Sequence, residues 1–293
     1  MPKNARKPSG IHHDEFLQTH IEEILQVSKP EGLHIDLFCK AVKKVFDPHI
    51  VGAEKIPDGP CMFVANHSLF ALDGYILGPL MYRELNRFAR PMLDRFLLEI
   101  PHLGDAFVGF GSALGHPEVC SALMREGHDI LLFPGGAHEA VKPASALYQL
   151  QWRERYGFVR LAAQHGYTIM PFGIVGPDEM YGHLIEGEDL PGSPLGLLLK
   201  RLGILSENTR ADLLPPIPVG ALGTLLPKPH RCYIGFGNPV DLSHHGGRKP
   251  TQRTQEKIRA EVAAEIEEVL ADLLVTRARN RSKEGLLRRV LTI

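Results

Sequence analysis

Apolar residues recur along this chain at more than one spacing, and each spacing predicts a different element. Residues 14 to 48 place Phe16, Ile21, Ile24 and Leu25, then Ile35, Phe38, Val42 and Val45, at helical intervals, with a break near Pro30-Glu31-Gly32. These positions predict a helical N-terminal layer. From residue 61 the pattern shifts to a short apolar run, Cys61 to Ala65, followed by polar Asn66-His67 and a helix-like stretch through Arg83. The alternation then repeats: Phe88 to Met92 extended, Asp105 to Gly109 extended, Pro117 to Arg125 helical, Asp129 to Phe133 extended, Arg153 to Gln164 helical and Thr168 to Val175 extended. Strands alternating with helices predict an α/β fold with a mostly parallel central sheet flanked by helices.

Residues 182 to 230 break that rhythm. They are rich in Gly, Pro and Leu, with Pro194-Leu195-Gly196-Leu197-Leu198-Leu199 and Leu213-Leu214-Pro215-Pro216 prominent, and read as a long excursion beside the sheet. Cys232 to Phe236 resembles a last strand. Thr251 to Arg279 carries Ile258, Val262, Ile266, Val269 and Leu273 at helical intervals, which predicts a C-terminal amphipathic helix running into a basic tail, Arg277 to Arg289. The expected organisation is an N-terminal helical extension over 1–48, one catalytic domain over 49–245 containing the excursion, and a helix with tail over 246–293.

Composition narrows the partners. The 293 residues are 44% hydrophobic, enough for a substantial core, and 33 Lys and Arg against 34 Asp and Glu give a net charge of -1. That balance provides no field for holding nucleic acid, which is excluded as a partner. Cys39, Cys61, Cys120 and Cys232 are scattered and lack paired metal or redox spacing, so they read as reduced core residues. Met1 to His13 has no apolar core of a secretory signal, and no apolar run approaches the roughly 18 to 20 residues of a membrane span. The expectation is a cytoplasmic protein whose membrane contact is peripheral.

Candidate chemistry sits at two strand ends. In Asn66-His67-Ser68-Leu69-Phe70-Ala71-Leu72-Asp73, a histidine follows a buried strand and a carboxylate comes six residues later. In α/β proteins such ends are where sites are built. Six residues correspond to about 240° on a regular helix, so the two side chains meet only if His67 stays in the loop and Asp73 lies in the following helix. The carboxylate then accepts the Nδ1 proton and leaves Nε2 to take a proton from an attacking hydroxyl. Ser68 is adjacent but lacks the Gly-x-Ser-x-Gly elbow of a hydrolase nucleophile. The second end is Phe133-Pro134-Gly135-Gly136-Ala137-His138-Glu139-Ala140, after Ile130-Leu131-Leu132. Consecutive glycines permit positive φ and close backbone approach to a ligand. Glu139 is placed either to hold an acceptor hydroxyl or to brace His67. A ligand-free βα turn is the plainer use of Pro-Gly-Gly taken alone.

Together these motifs resemble the glycerolipid acyltransferase superfamily, whose first motif is Asn-His-x4-Asp. They are most similar to its branch of type 2 diacylglycerol acyltransferase-like enzymes and plant phytyl ester synthases. The likeness runs from about Phe46 to Tyr181, with a weaker echo at Tyr233 to Leu242. Asn66-His67-x5-Asp73 has one residue more than the phospholipid branch, and Phe133-Pro134-Gly135-Gly136-x-x-Glu139-Ala140 matches the ester-synthase-like glycine motif. Gly157-Phe158-Val159-Arg160-Leu161-Ala162 and Ile169-Met170-Pro171-Phe172-Gly173 are similar to later motifs. The resemblance implies that His67 is a general base with Asp73 as its partner, and that Asn66, Gly135, Gly136, His138, Glu139 and Pro171 belong to the acceptor and substrate site. It also implies acyl-CoA or acyl carrier protein as co-substrate and no bound cofactor.

Where the phospholipid branch reads Phe-Pro-Glu-Gly-Thr-Arg, Gly135 stands at the Glu position and His138 at the Arg position. Phe107-Val108-Gly109-Phe110-Gly111 likewise lacks a nearby arginine. A phosphate without a bidentate Arg loses charge-assisted hydrogen bonds worth about 1.5 to 3 kcal/mol each. The expected acceptor is therefore a neutral lipid alcohol such as diacylglycerol. The alternative is a lysophospholipid or glycerol-3-phosphate acyltransferase using Arg90, Arg95 or Arg160. A non-catalytic lipid-binding protein is disfavoured by the presence of both His67 and Asp73. Residues 190–226 and Gly285-Leu286-Leu287-Arg288-Arg289-Val290-Leu291 offer apolar and basic surface for docking on membrane, and each equally suits core packing or a solvated end. The fifteen histidines form no His-Glu-x-x-His array, and His12-His13 and His244-His245 fall in polar segments, so no metal site is expected.

Overall fold

The computed structural model describes residues 10–202, 205 and 214–292, with the backbone alone for 10–14. Leu213 and the side chains of His12 and His13 lie outside that description.

Two helices, α1 (Gly10–Gln26) and α2 (Leu33–Phe46), precede the sheet and flank the predicted break. The strands are β1 (His49–Val51), β2 (Cys61–Ala65), β3 (Arg90–Leu93), β4 (Ala113–Leu114), β5 (Ile130–Leu132), β6 (Thr168–Val175), the excursion pair β7 (Gly182–Ile185) and β8 (Ile217–Val219), then β9 (Tyr233–Phe236) and β10 (Val240–Asp241). Between them run α3 (Leu72–Glu84), α4 (Arg95–Leu98), α5 (Leu103–Gly109), α6 (Pro117–Arg125), α7 (Gly136–Ala140), α8 (Gly157–His165) and α9 (Pro194–Arg201); α10 (Gln252–Asn280) and α11 (Leu286–Leu291) close the chain.

The main sheet has the order β1-β9-β6-β2-β5-β3-β4, with β10 also on β6. Its pairings are parallel except β6 with β9 and β6 with β10. All five residues of β2 are buried, as a central strand covered on both faces requires. The period of two sorts its side chains between two cores. Met62 and Val64 pack with α1, α6, α8 and α10 on one face. Cys61, Phe63 and Ala65 pack with α2 and α3 on the other. The α10 helix lies directly on β6 and β9. A Cβ at Gly235 would come within 2.8 Å of Val269 Cγ1, so that strand position has to be glycine for the helix to approach.

One predicted strand is corrected. Residues 105–109, expected extended, lie in α5, and the strand that joins β3 is β4, which begins four residues further on. Phe107 and Val108 are half-buried while Asp105 and Gly109 are exposed. This one-sided burial suits a short helix crossing α4 and not a sheet interior. The excursion contains a two-stranded antiparallel ribbon, β7 with β8, and the short helix α9 capped by Ser193 Oγ on Gly196 N–H. All four cysteines are unpaired and buried.

Candidate active site

Because β2, β5 and β6 run parallel, the loops that leave them emerge at one edge of the sheet. Asn66-His67 leaves β2, Phe133 to Gly135 leaves β5, and Gly176 to Asp178 leaves β6. Asn66 carries the β2–β6 ladder one step beyond its last backbone pair. Its Nδ2 donates to Ile174 O at 3.0 Å and its Oδ1 accepts Ile174 N–H at 2.9 Å, which is the pattern a peptide group would make. The amide is thereby engaged by the sheet, and His67 starts its loop from a fixed point.

The chain between His67 and Asp73 turns back on itself. Ser68 is extended, and then Phe70 and Ala71 both adopt left-handed φ of 56° before α3 begins. Two successive non-glycine residues in that region are costly and persist only where surroundings enforce them. Here the return is closed by a reciprocal cap. Asp73 Oδ2 accepts Ser68 N–H at 2.7 Å, Asp73 Oδ1 accepts Gly74 N–H at 2.8 Å, and Ser68 Oγ accepts Asp73 N–H at 3.0 Å. The same Oδ2 sits 2.8 Å from His67 Nδ1. Asp73 is fully buried in the first turn of α3, where the helix dipole favours a carboxylate. The contact assigns the Nδ1–H tautomer and leaves the Nε2 lone pair outward, with a tenth of the side chain exposed. Phe133 stacks on the imidazole at 4.2 Å between centroids and 12° between planes, which fixes the plane of the ring.

The glycine turn approaches from β5. A Cβ on Gly135 would collide with Glu139 Oε2, so only glycine lets the Glu139 carboxyl fold under the turn. Gly136 has φ of 52°, and Arg155 Nη1 donates to Pro134 O at 3.0 Å and Gly135 O at 2.9 Å. Glu139 Oε1 accepts the backbone N–H of His67 at 2.9 Å, and Oε2 is buried with no partner. Of the two uses open to Glu139, the geometry shows the brace. Burial pushes this carboxyl up to about 7 against the lowering influence of Lys142.

Other expected residues are placed less directly. His138 is half-buried on α7. Pro171 lies inside β6 opposite Val64, three residues before His67 along the neighbouring strand, and so belongs to the sheet interior. Two residues not foreseen complete the corner. Lys142 Nζ donates to the His67 carbonyl at 2.5 Å and pairs with Asp178 Oδ2 at 2.9 Å, with both side chains buried. A lysine after Glu139-Ala140-Val141 and an aspartate after Gly176-Pro177 carry no spacing that reveals their meeting.

Of the three arginines considered for a phosphate, only Arg90 is corrected, by its burial and its bonds to the end of α1. Arg90 is fully buried, donates from Nη1 to Val27 O at 2.9 Å and from Nη2 to Ile24 O, and so satisfies the end of α1; burial pulls its guanidinium down to about 10. Arg95 pairs with Glu99 at 2.7 Å on α4. Arg160 lines a cavity of about 350 Å³ with Gln18, Ser121 and Arg125, between α1, α6 and α8. A second cavity, about 440 Å³, lies by α11. Neither is lined by His67 or Glu139, and the imidazole reaches solvent through its own exposed edge. The arginine that meets the glycine turn is instead Arg155. Among the described residues no three His, Cys, Asp or Glu side chains gather as a metal set.

Comparison with known proteins gives a consistent assignment. A family model described as Acyltransferase matches residues 47–175, and one described as Diacylglycerol acyltransferase matches residues 118–271. The chain is 30% identical to Phytyl ester synthase 1, chloroplastic, of Arabidopsis thaliana over a 300-residue alignment, covering 92% of this chain and 42% of that protein. It is 26% identical over 196 residues to the DGAT1/2-independent enzyme synthesizing storage lipids of Mus musculus, covering 61% of this chain and 57% of that protein. The chain thus spans less than half the length of the phytyl ester synthases it matches. Among solved structures, the 1-acyl-sn-glycerophosphate (LPA) acyltransferase PlsC of Thermotoga maritima aligns with a TM-score of 0.46 at 15% identity, covering 81% of this chain and 80% of that one.

Proposed function

The chain belongs to the glycerolipid acyltransferase superfamily, in its type 2 diacylglycerol acyltransferase-like branch, and on that premise we propose that it moves a fatty acyl group from a thioester to a neutral lipid alcohol with His67 as general base. The observation that carries this reading is the His67 Nδ1–Asp73 Oδ2 contact of 2.8 Å at the end of β2, with Nε2 left open. Nε2 removes the proton of the acceptor hydroxyl while its oxygen adds to the thioester carbonyl. The tetrahedral intermediate collapses, the C–S bond breaks, and the imidazolium returns the proton to the departing thiolate. Asp73 stabilises the imidazolium through Nδ1–H, so the transfer needs no covalent enzyme intermediate. The donor is acyl-CoA or acyl carrier protein.

An uncharged acceptor is supported by His138 at the position where the phospholipid branch carries arginine, and by Arg90 being engaged elsewhere. The relatives named as phytyl ester synthases and as an enzyme synthesizing storage lipids agree with it. One observation favours a phosphorylated acceptor as second reading, namely exposed Arg155 beside the glycine turn.

No helix among the described residues is long and apolar enough to cross a membrane. Peripheral docking on a cytoplasm-facing membrane would use exposed Leu184, Leu222, Leu225 and Leu226 of the excursion, which also carries Lys200 and Arg201 on α9. Tyr181 links that surface to the site: its hydroxyl donates to Leu225 O at 2.9 Å and its ring meets Phe70 edge-on at 5.6 Å. Exposed Leu286, Leu287 and Val290 of α11 add a second apolar patch.

The test is turnover of labelled acyl-CoA with neutral and phosphorylated acceptors, beside His67→Ala. Product with neutral alcohols and a loss of at least about 100-fold in the variant are expected. Turnover of phosphorylated acceptors alone moves the assignment to the second reading, and an active His67→Ala ends the general-base mechanism.

A further inference from the structure

His67 is held by its backbone as well as by its ring. Its N–H is accepted by Glu139 Oε1 at 2.9 Å and its carbonyl is met by Lys142 Nζ at 2.5 Å, and both partners come from the one segment that follows the glycine turn. Lys142 is 2% exposed and Asp178 is 1% exposed. A buried ion pair is costly to form and is no evidence for stability by itself, so a pair placed on the backbone of the proposed base calls for another explanation. Asp178 arrives from the turn after β6, accepts Tyr148 N–H through the same Oδ2 that meets Lys142, and is followed by Glu179, which pairs with Arg277 of α10. The ammonium is thus bracketed from the sheet side and anchored to the long C-terminal helix.

We propose that Lys142 and Asp178 are positioning residues for the His67 imidazole, the Lys142 ammonium clamping the His67 carbonyl and the Asp178 carboxylate holding that ammonium in place. With the clamp present, the peptide that follows His67 is held while Glu139 holds the one before it, and Nδ1 stays on Asp73 while Nε2 faces the acceptor. With it removed, the ring keeps its chemistry but loses its aim, and displacements of about 1 Å in such groups cost rate by about 100-fold. This inference rests on His67 being the base.

Three variants test it, each measured for kcat, KM, thermal midpoint and the NMR signal of the His67 Nδ1–H proton. Asp178→Asn keeps volume and an acceptor for Tyr148 N–H, and is expected to lower kcat about 10-fold with KM near wild type. Lys142→Met leaves Asp178 buried without its partner, and is expected to lose both stability and rate. Lys142→Met/Asp178→Leu replaces the pair by apolar groups and is expected to recover most of the thermal midpoint lost in Lys142→Met, short of wild type because His67 O and Tyr148 N–H lose these partners. Its kcat is expected to stay about 10- to 100-fold down, with the Nδ1–H signal broadened or shifted upfield. A double variant with wild-type kcat and an unchanged signal would show the pair to be structural only and would overturn the proposal. Should His67→Ala remain active, the general-base reading fails separately, and the proton signal still decides whether the pair positions the ring.

Discussion

His67 and His183 each place Nδ1 2.8 Å from a carboxylate oxygen, of Asp73 in one case and Glu186 in the other. The surroundings of the two pairs differ in how the carboxylate is held and in where the second ring nitrogen lies. Glu186 lies three residues along the chain, is partly exposed, and takes one further hydrogen bond, from Ala144 N–H at 3.2 Å. Asp73 is fully buried and receives Ser68 N–H and Gly74 N–H besides the imidazole. The Nε2 of His183 is buried with no partner, whereas the His67 ring stands at a strand end, stacked on Phe133, with its edge open and both backbone polar groups gripped. A histidine and a carboxylate in contact are therefore not yet a base. The ring must also be anchored, and its second nitrogen must face somewhere a substrate can reach.

Several substitutions break or sharpen that contrast. The largest effect belongs to His67→Ala, which should lower acyl transfer by about 10²- to 10⁴-fold in a labelled acyl-CoA assay. Asp73→Asn comes next. An amide at this position turns an NH₂ group toward donors that require an acceptor, and kcat should fall by about 10- to 100-fold while the chain still folds. Gly135→Ala acts on the fold of the corner: the new Cβ displaces the Glu139 carboxyl, and urea denaturation should show a loss of about 3 kcal/mol or more.

Glu139→Gln separates charge from shape. Burial raises this carboxyl from 4.5 to about 7, so the folded protein holds the proton more tightly than the unfolded chain. The stability this confers is complete below pH 4.5 and is lost as pH rises through 7. The variant should therefore gain on the wild type between pH 5 and pH 8 by at most about 3 kcal/mol, less whatever the new NH₂ loses by lacking a partner, read from thermal midpoints across that range. The smallest effect is expected at the second pair, where His183→Gln should leave kcat at the wild-type level; a loss there comparable to that of His67→Ala would erase the contrast.

Local pattern revealed much of this architecture. Cys61 to Ala65, Pro117 to Arg125 and Thr168 to Val175 carry enough apolar run, proline or helical spacing to mark their own bounds, and the structure places β2, α6 and β6 on those residues. Residues 105–109 failed because a run as short as Ala106-Phe107-Val108 suits a strand and one turn of helix equally, and only its packing on α4 decides. The six-residue separation of His67 and Asp73 required a loop-then-helix arrangement, which the chain makes. Phe70 and Ala71, the residues that make the turn left-handed, are not types that announce it.

The sequence alone determined which side chains stand at the ends of β2 and β5, since hydrophobic runs end where polar loops begin. It also determined that a histidine, a carboxylate and two glycines share that edge, because parallel strands bring their ends together. Only the tertiary structure decided that Arg90 closes α1, that Phe133 stacks on the imidazole, and that Lys142 and Asp178 meet behind it. These are contacts between segments distant in sequence, chosen by burial and charge pairing in three dimensions, and no spacing along the chain encodes them.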